Sequence, residues 1–197
     1  MRSAVAPSSK DLILSTAFRV FGRSGIESTS LREVAREAEV SPALVVHHFG
    51  GKEGLIAALD EAVVREFAEA YAADAFEGDH DIVRRRGEQT VRVMGARPDV
   101  CAYVGRGMVE GTAGSLGLFR NMIRGGGAEI DSLAERGVLR PDVDRLWATL
   151  QHFFLIWAPL SFMPVLKEAL GGDLLDQEQL DRWVDANVEL LEEGLYA

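Results

Sequence analysis

Apolar residues recur at spacings of three and four along almost the whole chain, and Val, Ile and Thr hardly ever alternate over strand-length windows, which predicts an all-α protein. Ser8 or Ser9 can cap a first helix whose Ile13, Ala17 and Phe21 share a face beside Leu14 and Phe18, with Gly22 and Gly25 ending it. Ser30 caps a barely two-turn helix from Leu31 to Ala38, its buried stripe being Leu31, Val34, Ala35 and Ala38. Ser41 followed by Pro42 is an N-cap with proline at the first helical position, where its missing donor costs nothing, and Gly50 and Gly51 stop that helix at Phe49. A longer helix follows from Lys52 to about residue 75, and the acidic stretch 77–81 marks a boundary between two structural regions. Further helices are expected near 80–96, 98–106, 115–136, 142–158 and 176–195, separated by Arg97-Pro98, the dense glycines at 105, 107, 111, 114 and 117, residues 137–141, and Gly171-Gly172.

Two short helices joined only by Glu39 and Val40 cannot lie in line; they must cross steeply, so that the second projects from the surface. This is helix-turn-helix geometry. Small Ala35 sits where the helices approach, Val40 plugs the turn and Val45 faces the core, leaving Ser41, Pro42, Ala43, Leu44 and His47 at the exposed start that enters a major groove. Thr29, Ser30 and Lys52 stand at helix starts, where amides, hydroxyls and one ammonium can hold phosphate oxygens.

Charge at first argues against a nucleic-acid partner, since the 197 residues carry a net charge of -10 and phosphate affinity comes from Lys and Arg. The distribution reverses this: residues 1 to 55 hold seven basic against six acidic side chains, whereas the remainder holds fourteen against twenty-five. The lone Cys101 can neither close an intramolecular disulfide nor build a thiolate site, and no apolar run of signal-peptide length precedes Pro7, so the cytoplasm is the expected compartment. The uncharged run from Leu146 to Leu166 approaches the length of a membrane span, but Thr149, Gln151, His152 and Ser161 interrupt its apolarity and Pro159 and Pro164 its bonding; a helix buried in protein, with no membrane partner, is expected.

In this setting the chain resembles the TetR/AcrR family of transcriptional regulators through Gly25, Thr29-Ser30-Leu31, Val34-Ala35, Ala38, Val40-Ser41, His47-His48-Phe49 and Lys52-Glu53-Gly54-Leu55. The likeness is dense over residues 10 to 58, with a weaker echo in the turn Val138 to Asp144. It implies a homodimeric repressor of a double-stranded operator, released by a small-molecule effector. There are departures. Glu39 replaces the usual turn glycine and must adopt a left-handed conformation, at a cost of about 1 kcal/mol, or shift the turn. Val46 stands where similar proteins often carry a phosphate-binding tyrosine, and Ala43 and Leu44 replace a common Gly and Thr. So apolar a surface is expected to read thymine methyls through Ala43 or Leu44, with His47 and Ser41 among its few hydrogen-bonding groups.

Other chemistry is weakly signalled. Adjacent His47 and His48 point apart on a helix, so no metal is expected, and His48 reads as a core histidine. Arg84-Arg85-Arg86 reads as a solvated face. Gly125-Gly126-Gly127 lacks the following Lys-Ser or Lys-Thr of a phosphate loop, and Ser115 lacks the spacing of a nucleophile elbow. No cofactor is expected and no catalytic residue stands out, although a helical small-molecule-binding protein or enzyme without DNA function is the competing reading.

The C-terminal helices suggest a sensor and an interface. Leu146, Leu150, Phe153, Trp157 and Leu160 form one stripe of the uncharged helix, with Trp147, Phe154 and Ala158 forming a second; Leu180, Trp183, Val184, Val188 and Leu191 line the last helix. Two such helices from each of two chains make a four-helix dimer interface. A largely apolar effector is expected among Phe67, Tyr71, Met94, Tyr103, Met108, Phe119, Met122 and Phe154, with His152, Arg106 or Glu110 orienting a polar group. The reading is therefore a three-helix DNA-binding domain over residues 1 to 50 and a helical effector-binding and dimerisation domain over 51 to 197.

Overall fold

The computed structural model describes residues 8–72, 82–111 and 113–195, and all its regular elements are helical. Helix α1 (Ser9–Ser24) opens with a capping box in which the Ser8 hydroxyl accepts from the Asp11 amide at 3.2 Å while the Asp11 carboxylate accepts from Ser8. Ser30 and Ser41 cap α2 (Leu31–Glu37) and α3 (Pro42–Phe49) by accepting from the amides of Glu33 and Leu44, each at 3.2 Å. The chain continues through α4 (Lys52–Ala72), α5 (Ile82–Ala96), α6 (Pro98–Glu110) and α7 (Ala113–Glu135). After α8 (Arg145–Trp157) come a 3-10 turn (Ala158–Phe162), α9 (Met163–Leu170) and α10 (Gln177–Gly194). The end expected for the helix after Lys52 and the acidic stretch 77–81 lie outside the described residues.

Two expectations change. The dense glycines do not break α6, which runs through Gly105 and Gly107; a side chain at Gly105 would strike the backbone of Leu160, and one at Gly107 would meet Ser115 at 3.1 Å. These glycines are there for close helix approach. The uncharged segment also resumes as α9 after the 3-10 turn, because Pro164 falls in the first turn of that helix, where no donor is required.

Apolar side chains form two clusters. The first joins Ile13, Phe21, Val34, Ala35 and Val45 of α1 to α3 with Leu55, Leu59, Val63 and Phe67 of α4, Tyr103 and Val104 of α6, and Phe153 and Trp157 of α8. The second joins Val83 and Val91 of α5, Ile130 and Leu133 of α7, and Leu180, Val184 and Val188 of α10. The helix α6 belongs with the N-terminal helices: Gly22 of α1 approaches it so closely that a methyl there would sit 2.8 Å from the Ala102 Cβ.

Candidate functional site

The turn between α2 and α3 has the bond pattern of a Schellman motif, with the Val40 amide donating to the Ala35 carbonyl at 2.9 Å and the Glu39 amide to the Arg36 carbonyl at 3.2 Å. Glu39 adopts φ 54°, the left-handed geometry that glycine would take without strain. Ala35 and Val45 are fully buried and Val40 packs half-buried against them. The crossing leaves Ser41, Pro42, Ala43 and His47 exposed and Leu44 half-buried; Val46, 47% exposed, adds a third apolar group to this face.

The phosphate candidates separate. Ser30 is exposed at the start of α2, although its hydroxyl already caps that helix. The Lys52 ammonium donates to the Glu27 carbonyl at 2.9 Å, which stations it beside the same turn. The Thr29 hydroxyl is turned inward rather than presented at the surface: the residue is 1% exposed and its hydroxyl donates to the Gly25 carbonyl at 2.7 Å, so it shapes the turn from inside. His48 is half-buried rather than in the core, with its Nε2 3.2 Å from the Ser9 hydroxyl.

Two polar links tie this unit to the helices behind it. The Glu110 carboxylate, at the end of α6, accepts from the amides of Ile26 and Glu27 at 3.0 and 3.1 Å and pairs with Arg106 at 3.3 Å. Glu110 therefore holds the α1–α2 turn with Arg106 paired to it, and neither lines the cavity between the two apolar clusters. Behind Phe18 and Phe21, the Tyr103 hydroxyl donates to Asp60 of α4 at 2.6 Å. Burial lifts the Asp60 carboxyl to about 6 against the opposing pull of that bond, and pushes the Tyr103 phenol far above its ordinary value. Burial likewise raises the Cys101 thiol to about 12, which leaves it protonated and inert.

A cavity of about 320 Å³ opens between the two apolar clusters, bounded by α4, α5, α7, α8 and α10. Of the expected lining residues, Phe67, Met122 and His152 face it. Met94 is fully buried in the first cluster and Tyr103 is held by Asp60, while Met108 and Phe119 pack against the same cluster away from the cavity. Phe154 points outward and is 50% exposed, and the side chain of Tyr71 lies outside the described ones. Residues that periodicity did not single out complete the wall: Val63, Val91, Ile156, Asn187, and an ion pair between Arg86 and Glu129 at 2.6 Å. Arg86 is thus half-buried in a pocket rather than on a solvated face, whereas Arg84 is exposed and paired with Asp185 at 2.7 Å. The His152 Nδ1 donates to the Ala148 carbonyl at 2.7 Å, and burial holds the ring below the ordinary histidine value in spite of that bond and the Glu129 charge.

The residues expected at a dimer interface divide by depth. Phe153 and Trp157 turn inward, Trp157 meeting Phe67 edge-on at 4.7 Å, and both line the cavity. Leu180, Val184 and Val188 are buried against α5 and α7 within the same chain, and Trp183 and Leu191 also line the cavity. The uncovered stripe is the other side of α8, where Leu146 is 64% and Trp147 57% exposed, with half-buried Leu150 and exposed Phe154 above them. Phe162 and Val165, beyond the end of α8, are exposed as well. By length and composition the stretch Arg145–Leu170 is apolar enough to cross a membrane, but the 3-10 turn at Ala158–Phe162 interrupts it.

An all-helical chain that presents a capped, projecting second helix after a tight turn is a helix-turn-helix DNA-binding protein. Comparison with known proteins agrees. Residues 13–59 match the family described as bacterial regulatory proteins, tetR family. The HTH-type transcriptional regulatory protein RaaS of Mycobacterium tuberculosis is 33% identical over 132 residues, a match covering 67% of this chain and 60% of RaaS. Among solved structures, the fatty acid degradation regulator FadR from Bacillus halodurans superposes with a TM-score of 0.76 at 14% identity, over 95% of this chain and 96% of that one. The TetR family transcriptional regulator PfmR from Thermus thermophilus gives 0.71 at 20% identity over 95% and 96%. This chain belongs to the TetR family of transcriptional regulators.

Proposed function

We propose that the protein is a cytoplasmic homodimeric repressor that binds a palindromic operator and leaves it when a small, largely apolar molecule enters the cavity between the two apolar clusters. The observation that carries this is the juxtaposition of the exposed α3 face with a cavity whose wall includes Val63 and Phe67 of α4, the helix that directly continues α3. One short helix reads few base pairs; two related by a twofold axis read half-sites about 34–36 Å apart, so affinity depends on their spacing. A ligand that binds better when α4 is displaced releases DNA through that differential affinity alone. The exposed apolar stripe of α8 supports the dimer, since so large a patch on a soluble chain marks a contact surface.

Ala43, Leu44 and Val46 are suited to thymine methyls, and His47 and Ser41 to hydrogen bonds with base edges or phosphates. Selection of bound fragments from a random duplex pool should return a palindrome, and affinity for it should fall steeply with salt. A pool that emerges unenriched refutes sequence-specific binding. His47→Ala should lower the preference for the selected site over a scrambled one by about tenfold. Unchanged selectivity would remove His47 from base reading.

A further inference from the structure

The cavity carries information about the charge of its occupant. Among the described residues its one cation, Arg86 on α5, is already neutralised across the wall by Glu129 on α7, with Nε and Oε1 2.6 Å apart. The neighbouring polar groups have committed their hydrogens to the protein: the Thr90 and Thr149 hydroxyls donate to the carbonyls of Arg86 and Arg145, each at 2.8 Å, and the His152 Nδ1 proton goes to Ala148. With His152 kept neutral by burial, the wall carries no net charge and sits among aromatic and aliphatic side chains where an uncompensated ion is costly.

We infer that Glu129 sets the ligand class of this cavity: by holding Arg86 in an ion pair, it makes the site select neutral, mostly apolar molecules and reject the corresponding carboxylates. A carboxylate entering the wild-type site must compete with Glu129 for Arg86, and whichever anion loses is left desolvated without a counter-charge. A neutral ligand brings no charge to be desolvated and leaves the pair undisturbed. Replacing Glu129 by Gln keeps the shape but removes the counter-charge of the guanidinium, which still donates to the neutral Gln89 side chain at 3.2 Å, and should turn the same pocket into a carboxylate site.

The inference rests on the ligand-binding part of the proposed function, and its test is arranged so that the two can fail separately. The full-length protein is titrated without DNA against 1-decanol, decanoate and decylammonium near neutral pH, using the fluorescence of Trp157 and Trp183 in the cavity wall. Wild type should bind decanol at least about tenfold more tightly than either ion, and Glu129→Gln should gain about tenfold for decanoate while keeping its decanol affinity within roughly threefold. The double variant Arg86→Gln/Glu129→Gln should lose the decanoate gain, which separates a charge effect from a reshaped pocket. Decanoate binding wild type as tightly as decanol, no member of the series binding, or Glu129→Gln leaving decanoate unaffected each overturns the inference. Binding with the stated preference but without any change in operator affinity leaves it standing and instead removes effector control from the proposed function.

Discussion

Asp60 and Tyr103 show how a single buried pair conditions stability. The native Asp60 carboxyl holds its proton up to about 6, against 3.8 when unperturbed, so between those values the folded chain binds more protons than the unfolded one. The resulting stabilisation is fully present below 3.8 and is lost as pH rises through about 6. Asp60→Asn keeps an oxygen for the Tyr103 hydroxyl and cannot ionise. It should therefore flatten the stability profile between about pH 4 and pH 7 and raise the melting temperature on the alkaline side of that window. Thermal melts of both proteins at three pH values decide the matter, and parallel profiles would show that Asp60 does not titrate abnormally. Glu39 is under local backbone strain: the Schellman bonds demand a left-handed residue, and α3 is aimed by that geometry despite the missing glycine.

At the scale of elements, the start of α4 is set by a residue that tolerates no side chain. A Cβ at Gly54 would overlap the Phe49 carbonyl, the last carbonyl of α3, so the hinge between the reading helix and the helix passing the cavity can be this tight only with glycine there. Gly54→Ala should cost about 2 kcal/mol or more by forcing the two helices apart, lowering the melting temperature by about 4 to 8 °C and weakening operator binding beyond what the stability loss explains. A variant that melts and binds like wild type would mean that the junction relaxes freely. The close pack of α1 on α6 through Gly22 and Ala102, with Glu110 clamped to the turn amides, makes α6 a rigid extension of the DNA-binding unit.

For the molecule as a whole, the uncovered stripe of α8 is the feature that a single chain leaves unexplained. Leu146, Trp147 and Phe154 expose apolar surface that a second copy would bury, and the proposed operator recognition depends on that second copy. Trp147→Glu combined with Phe154→Glu should convert the proposed dimer to a monomer in analytical ultracentrifugation. Because both side chains are already half or more exposed, the folded chain should keep its helical circular dichroism while losing at least about a hundredfold in operator affinity. A double variant that remains dimeric would move the interface elsewhere.

How far the sequence reached follows from the range of the forces involved. Helix class, the caps at Ser8, Ser30 and Ser41, the steep α2–α3 crossing, the left-handed Glu39 and the exposed Pro42, Ala43 and His47 were all legible, because caps, turns and periodicity act over a few residues. An amphipathic pattern says that a residue is covered but not by what. Phe153, Trp157 and Val188 are covered by their own chain and Phe154 is not, a choice made by the rotation of α8 and α10 against α5 and α7. The meeting of Arg86 with Glu129, 43 residues apart, left no mark in the local pattern, and neither did the burial of Thr29. Local chemistry thus determined the elements and the reading helix; only tertiary packing decided which apolar face became cavity, core or outer surface, because that depends on how the helices are turned toward one another.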